Sequence, residues 1–408
     1  MIQDQSLLLV LPVCFRKQDG ELVFEAQAVN GLRRWSENFA RVTVAAPLVE
    51  TPSSEVQAPM APLLEEIDGL EVLLLPSAYT PLPFARQFAG VSRLLAEAID
   101  EHRYLSFAIG GLFGDWGAVA CHVAHRKRRP YSVWTDRVES QVVKSLSGQG
   151  SLKARLRASL THSPMAKLEE YVIRRSALGL FHGADTYEFY KDFSRRPELV
   201  HDIHTKPDDL IDAQTLEAKI ARQSGERPLD IIYVGRADPM KGVQDWVDAL
   251  TATAKAGVDF RATWYGEGSE LEEAKQRIES AGLSDVVRFP GYLRNRGEVL
   301  AAIRAADLFV FCHLTKESPR NLIESLISGT PIVGYISDYA ADLISKKGGG
   351  ALTPLGEPEV LADKIIEIAK DSRGRADLIR AAAGDGSEFT DEAVFRHRSD
   401  LIKAHLSA

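Results

Sequence analysis

The chain has 408 residues, 45% of them hydrophobic and 26% charged, with a formal net charge of −8. Such a length predicts two or three domains of ordinary size with a sizeable core, and the acidic balance argues against a general nucleic-acid binder. With 30 Gly and 19 Pro a collagen-like or low-complexity chain is excluded, and Cys14, Cys121 and Cys312 lie too far apart for a disulfide framework or zinc site, which implies a reducing compartment.

Residues 7–13 are the first apolar run. They follow Asp4 rather than a basic stretch, so they read as a buried strand and not as a signal peptide. Further short β-like runs occupy 42–46, 72–75, 105–109, 131–134 and 178–181. Helical spacing joins Phe24, Ala28, Leu32, Trp35 and Phe39, and again Phe84, Phe88, Val91, Leu95 and Ile99. Strands buried on both faces and separated by helices predict a parallel sheet covered by helices. The most membrane-like stretch, 108–124, contains Asp115 and His122 and is too short and polar to span.

The polar stretch 206–228 reads as a linker, after which the alternation restarts. Strands are expected at 230–234, 260–265, 286–289, 308–311 and 332–334. The fold class is therefore α/β, two doubly wound Rossmann-like domains over 1–205 and 229–387. A last amphipathic segment, about 388–408, is expected to pack back on the first domain. In such folds ligands bind outside the carboxyl ends of the strands, which places the expected site in a cleft between the domains.

Three loops at predicted strand ends carry chemistry. Gly235-Arg236-Ala237-Asp238-Pro239-Met240-Lys241-Gly242 sets two cations at a helix start, a place that suits a diphosphate. It is no Walker A loop, since GxxxxGK[ST] is absent, and two solvated bases at a turn are an equal alternative. Gly266-Glu267-Gly268 lacks the third glycine of a dinucleotide fingerprint, Leu271 holding that place, and reads first as a tight turn. The third loop runs from His313 to Glu324. Ser318 suits the helix N-cap and Pro319 the first helical position, while Glu317 and Glu324 could accept hydrogen bonds from sugar hydroxyls.

Together these residues resemble the donor half of retaining, family-4 glycosyltransferases (glycosyl transferases group 1) of the GT-B fold. The resemblance runs through VGRADPMKG (234–242), YGEGSELEEA (265–274), VVRFPGYL (286–293) and AADLFVFCHLTKESPRNLIESLISGTPIVG (305–334). It implies donor diphosphate binding by Arg236 and Lys241. It implies sugar and ribose binding by Glu317, Ser318, Pro319, Arg320, Asn321 and Glu324, and a base loop at Gly291 and Tyr292. Six residues lie between Glu317 and Glu324 where the family signature has seven. In the N-terminal half the family's glycine-rich first loop is replaced by residues 12–20, and its active-site His is missing from YSVWTDRVE (131–139). Asp136 is the nearest polar substitute, which with Glu317 gives the expected catalytic pair; a helix cap is its plainer reading. Asp115 and Trp116, after a glycine-rich stretch, are expected on the acceptor side, a loop charge being the plainer reading of Asp115.

The resemblance implies transfer of a sugar from a nucleotide-sugar to a saccharide or lipid-linked acceptor, in surface polysaccharide or glycolipid biosynthesis. No cofactor and no metal are expected, because no Asp-x-Asp occurs. The alternatives are a donor-binding pseudoenzyme or partner subunit, and a sugar-nucleotide epimerase on the same scaffold. Residues 121–196 hold 15 Lys and Arg against 7 Asp and Glu, densest at Arg126-Lys127-Arg128-Arg129. A solvated helix end explains such a run; contact with anionic lipid is the sharper expectation. The expected location is cytoplasmic, peripheral at the inner face of the membrane.

Overall fold

The run Ser6–Val10 is buried throughout, and its side chains divide by strand parity. Leu8 and Val10 join a core with Val91, Leu95 and Ile99 of the helix Pro81–Glu101. Leu7 and Leu9 join another, with Leu32 and Trp35 of the helix Ala26–Ser36. A strand apolar on both faces needs a helix layer on each side, and that requirement sets the architecture. The computed structural model describes residues 3–53, 56–146, 152–201, 203–225, 227–315 and 318–406. It divides into one unit of Met1–His204 with Asp391–Ala408, and a second of Thr205–Thr390.

In the first unit seven parallel strands run in the spatial order Pro197–Val200, Leu178–His182, Ser132–Thr135, His102–Ala108, Gln3–Val10, Arg41–Val49 and Leu70–Pro76. The order reverses direction between the first strand and His102–Ala108, as in a doubly wound sheet. The sequence reading missed an addition to this plan. Residues 12–20 lead into and form part of a hairpin, Phe15–Gln18 and Glu21–Glu25, closed by the two-residue turn Asp19-Gly20. Phe15 pairs with Leu48, and Gln57–Pro59 adds a further antiparallel strand.

The final helix, Asp391–Leu406, belongs to this first unit although it follows the second in sequence. Phe395 meets Trp35 edge-on at 5.3 Å. The buried Asp391 carboxylate takes Asn30 Nδ2 at 2.9 Å and Arg34 Nε at 3.1 Å.

The second unit is a six-stranded, all-parallel sheet. Its order is Val287–Gly291, Phe260–Tyr265, Leu229–Val234, Leu308–Phe311, Ile332–Tyr335 and Gly350–Thr353. Its reversal falls between Leu229–Val234 and Leu308–Phe311.

The expected linker 206–228 needs correction. It carries the helix Ala213–Ala221, capped by Asp212 on Thr215 N, and is part of the second unit. Of its buried side chains only Ile220 is apolar, the others being Lys219 and Gln223, which is why composition read it as a linker. Lys219 Nζ donates to Thr330 Oγ1 at 2.5 Å, and Gln223 Nε2 to Asp307 Oδ1 at 2.8 Å. Asp307 is itself buried, held by Arg222, Arg227 and the Asp230 amide.

Candidate functional site

The two loops richest in expected site residues leave adjacent strands at the reversal of the second sheet. Ile231 and Ile232 pair with Leu308 and Phe309, so the chain after Val234 and the chain after Phe311 emerge side by side. They are locked together. Gly242 has φ +64°, and a Cβ there would sit 2.1 Å from the Cys312 carbonyl oxygen, so only glycine allows this approach. Leu314 N donates to Met240 O at 2.9 Å, and Asn321 Nδ2 donates to Val234 O at 2.8 Å.

The Gly266-Glu267-Gly268 turn closes the same frame from the other side. A Cβ on Gly266 would lie 2.0 Å from the Gly235 carbonyl oxygen. Ala237 N donates to Glu267 O and Glu270 N to Ala237 O, each at 2.9 Å. These glycines fit one loop against another. Gly266 N also donates to Gly291 O at 2.9 Å, tying in the expected base loop, where Tyr292 is 71% exposed.

Beneath the Gly235 loop lies an aromatic floor that the sequence reading did not single out. Tyr233 packs on Trp264 at 3.9 Å, Trp246 meets Trp264 edge-on at 5.4 Å, and Trp264 Nε1 donates to Gly235 O at 3.1 Å. Tyr233 Oη shares a hydrogen bond of 2.8 Å with His313 Nε2. Burial, helped by the Lys241 charge, pushes His313 down to about 3, so it is a neutral ring at ordinary pH. The signal that could have found this floor is the run of large aromatics at the carboxyl ends of two strands.

Of the expected donor residues, Arg236 is 71% exposed and pairs with Asp238 at 3.2 Å, while Lys241 closes the turn Pro239–Lys241. Ser318 and Pro319 precede the helix Arg320–Ile327. Pro319, at ψ 124°, takes the cap position expected of Ser318, and the helix starts at Arg320, one residue later than the sequence predicts. Glu324 is nearly buried, and its Oε1 accepts from Arg296 Nη1 at 2.6 Å. Burial raises its pKa against the pull of Arg296. Arg296, also missed from sequence, further binds Asp209 and Thr205. Glu317 lies outside the described residues.

In the first unit the acceptor-side expectation for Asp115 and Trp116 is corrected. Asp115 is buried and caps the helix Trp116–Arg126 through Ala118 N at 2.9 Å. It also accepts from Gly110 N and Gly111 N at 3.0 and 3.1 Å, and burial pushes it up to about 6. Trp116 is buried with its Nε1 on Pro76 O at 2.8 Å. Both hold the fold, because a glycine-rich turn needs a carboxylate to collect its amides. Asp136 is exposed in the bend after Ser132–Thr135. Glu139, next along, is the better shielded carboxylate at 14% exposure, pairing with Arg137 Nε at 2.5 Å.

The basic run is partly occupied within the fold. Arg129 donates to the carbonyls of Ile99, His102 and Arg103, and Lys127 pairs with Asp100 at 2.7 Å. No helix among the described residues is long and apolar enough to cross a membrane.

Comparison with known proteins bears on this geometry. Residues 216–385, within the second unit, match the family model described as Glycosyl transferases group 1. The 2-deoxystreptamine glucosyltransferase of Streptomyces kanamyceticus is 28% identical over 174 residues, 42% of this chain and 44% of that one. The alpha-monoglucosyldiacylglycerol synthase of Streptococcus pneumoniae is 26% identical over 177 residues, 39% of this chain and 40% of that one. The matched stretches thus span less than half the length of either curated relative. Across nearly the whole chain the fold is that of Anabaena HepE, solved in complex with UDP. The TM-score is 0.63 at 17% identity, covering 98% of this chain and 100% of that one. The fold class is GT-B, two Rossmann-like units in succession.

Proposed function

We propose that this protein is a retaining, family-4 glycosyltransferase that moves a sugar from a nucleotide-sugar, a uridine diphosphate sugar by preference, to a saccharide or lipid-linked acceptor. The process served would be surface polysaccharide or glycolipid biosynthesis at the inner face of the cytoplasmic membrane. The observation that carries this reading is the locked frame at the sheet reversal. The loop carrying Arg236 and Lys241 and the loop that leads to the helix Arg320–Ile327 leave adjacent strand ends there and touch. Cations and free helix amides at such a point suit a diphosphate. Glu324, shielded and paired with Arg296, suits a ribose diol, and the exposed Tyr292 suits the face of a base.

Chemistry at this site asks for placement and charge stabilisation rather than a nucleophile. In the proposed front-face step the acceptor oxygen bonds to the anomeric carbon as the carbon–phosphate oxygen bond breaks. The acceptor proton passes to the departing phosphate oxygen, and Arg236 and Lys241 offset the charge that develops there. No metal ion is required by this scheme.

Calorimetry with UDP and UDP-glucose tests the site directly. Each charge-assisted bond to phosphate contributes about 1.5–3 kcal/mol, so Arg236→Ala or Lys241→Ala should weaken binding about ten- to hundredfold. Unchanged affinity in both variants would remove the assignment. A wild-type protein that binds the donor yet neither transfers nor releases the sugar would instead be a donor-binding pseudoenzyme.

A further inference from the structure

One guanidinium in the second unit gathers three oxygens from two distant stretches of chain. Arg296 opens the helix Arg296–Ala305, four residues after Tyr292 of the expected base loop. Its Nη1 donates to Glu324 Oε1 at 2.6 Å, its Nε to Asp209 Oδ2 at 3.3 Å and its Nη2 to Thr205 Oγ1 at 3.1 Å. A planar fork with fixed donor directions bridges three acceptors in this way; a lysine ammonium on its flexible stem does not. The partners are held in turn. Asp209 Oδ2 also accepts from Lys206 N at 2.9 Å, and Thr205 is buried. Ile211 N donates to Ile327 O at 2.8 Å, which fastens the stretch 205–211 to the end of the helix Arg320–Ile327 that carries Glu324.

This clamp fixes a carboxylate and leaves half of it unused. Arg296 engages Oε1 of Glu324, whereas Oε2 takes no hydrogen bond among the described residues. The side chain keeps 17% exposure, so one side of it stays open. A carboxylate this shielded gains from a donor on each oxygen. Burial raises the Glu324 pKa and Arg296 draws it back, so the guanidinium that sets the direction of the carboxylate also favours its charged, acceptor-only form. What the open oxygen lacks is a group with a proton to give. Of the parts of a nucleoside diphosphate, the phosphates have none to offer, and the ribose diol has two.

We propose that Arg296 is a positioning residue for nucleotide recognition. Clamped by Thr205 and Asp209, it turns Glu324 so that Oε2 accepts a ribose hydroxyl, and it thereby makes the site select a ribonucleotide over its 2′-deoxy counterpart. Arg296 acts through Glu324 and does not itself touch the nucleotide. The inference rests on the nucleotide-sugar reading above and adds to it the residue that sets ribose selectivity. A role confined to fastening the stretch 205–211 would show in stability alone, because a fastener has no means of telling one sugar from another.

UDP and 2′-deoxy-UDP are titrated into the full chain by calorimetry, with a melting curve for each variant. The wild type should prefer UDP about ten- to hundredfold, the span of one charge-assisted hydrogen bond. Arg296→Met should bring that preference to about threefold or less. Arg296→Lys keeps the charge without the fork and should retain an intermediate preference. Thr205→Val removes one arm of the clamp at a distance from the ribose and should also lower the preference. An unchanged preference in Arg296→Met, with only its melting transition lowered, overturns the proposal and leaves Arg296 a fastener. Should Arg296→Met fail to fold, an unchanged preference in both Arg296→Lys and Thr205→Val overturns it equally. Equal affinity of the wild type for UDP and 2′-deoxy-UDP overturns the proposal while the nucleotide-sugar reading stands. A wild type that binds neither nucleotide removes both.

Discussion

Replacing Gly242 by alanine isolates the contact that holds the two strand-end loops in one frame. Gly242 adopts φ +64° and ψ 40°, and any L side chain there carries about 1–2 kcal/mol of left-handed strain. The new Cβ would also stand 2.1 Å from Cys312 O and 2.9 Å from Cys312 Cβ, so one loop must withdraw by about 1 Å. Overpacking of that kind costs about 1–3 kcal/mol, and the Leu314 N–Met240 O bond is the first to open. Gly257 supplies the control: its φ is +75°, with nothing within 4 Å of its would-be Cβ. Gly257→Ala should therefore show the left-handed strain alone, about 1–2 kcal/mol. Gly242→Ala should lose about 2–5 kcal/mol, a further fall of several degrees in the second unit's melting transition. Calorimetry with UDP should show about a tenfold or greater loss for Gly242→Ala and none for Gly257→Ala. Equal melting shifts in the two variants, or full UDP affinity in Gly242→Ala, would refute the coupling of the loops.

Glu324 is held above its ordinary pKa by burial, so UDP affinity should fall on acidification before an ordinary carboxylate would titrate; Glu324→Gln should weaken binding and remove that pH dependence in calorimetry. Asp115 rises from 3.8 to about 6 on folding, so the native state binds the extra proton and the first unit loses stability through this group as pH climbs through that window. Urea titrations should show the slope in the wild type and a flatter one in Asp115→Asn. Lys219 runs the opposite way: burial lowers its pKa, so stability rises as pH climbs toward 10.5, and Lys219→Met should reduce that rise in the same measurement.

The parallel cores were legible because their strands are apolar on both faces. Phe260–Tyr265 and Leu308–Phe311 fall where the residue pattern puts them, and within the amphipathic segment expected over about 388–408 the helix spans Asp391–Leu406. What escaped was structure held by polar pairs. The stretch 206–228 looks like solvent-facing chain until Lys219 meets Thr330 and Gln223 meets Asp307, partners more than eighty residues away. The hairpin at 15–25 escaped for another reason. Its strands are four and five residues long, and the Asp19-Gly20 turn that marks it lay inside a segment weighed only as a missing glycine loop.

The strand-end loops were legible as a set because their residue types are unusual together, but residue type alone left a tight turn and a ligand loop as competing readings. Glycines look alike whether they admit a phosphate or a neighbouring carbonyl. Gly266 and Gly268 turn out to admit the backbone of Gly235 and Ala237, while Gly242 admits that of Cys312. Acidic residues carry the same ambiguity. Asp115 gives its oxygens to backbone amides, Glu324 gives one to Arg296, and Asp136 stays in solvent. Burial and partners separate these cases, and both depend on residues distant in sequence. The same holds for the floor under the Gly235 loop. Tyr233, Trp264 and His313 are ordinary strand-end residues in one dimension, and only the pairing of their strands makes them the surface on which the Gly235 loop rests. A reading confined to motifs therefore finds the atoms that would touch a donor before it finds the ones that hold them still.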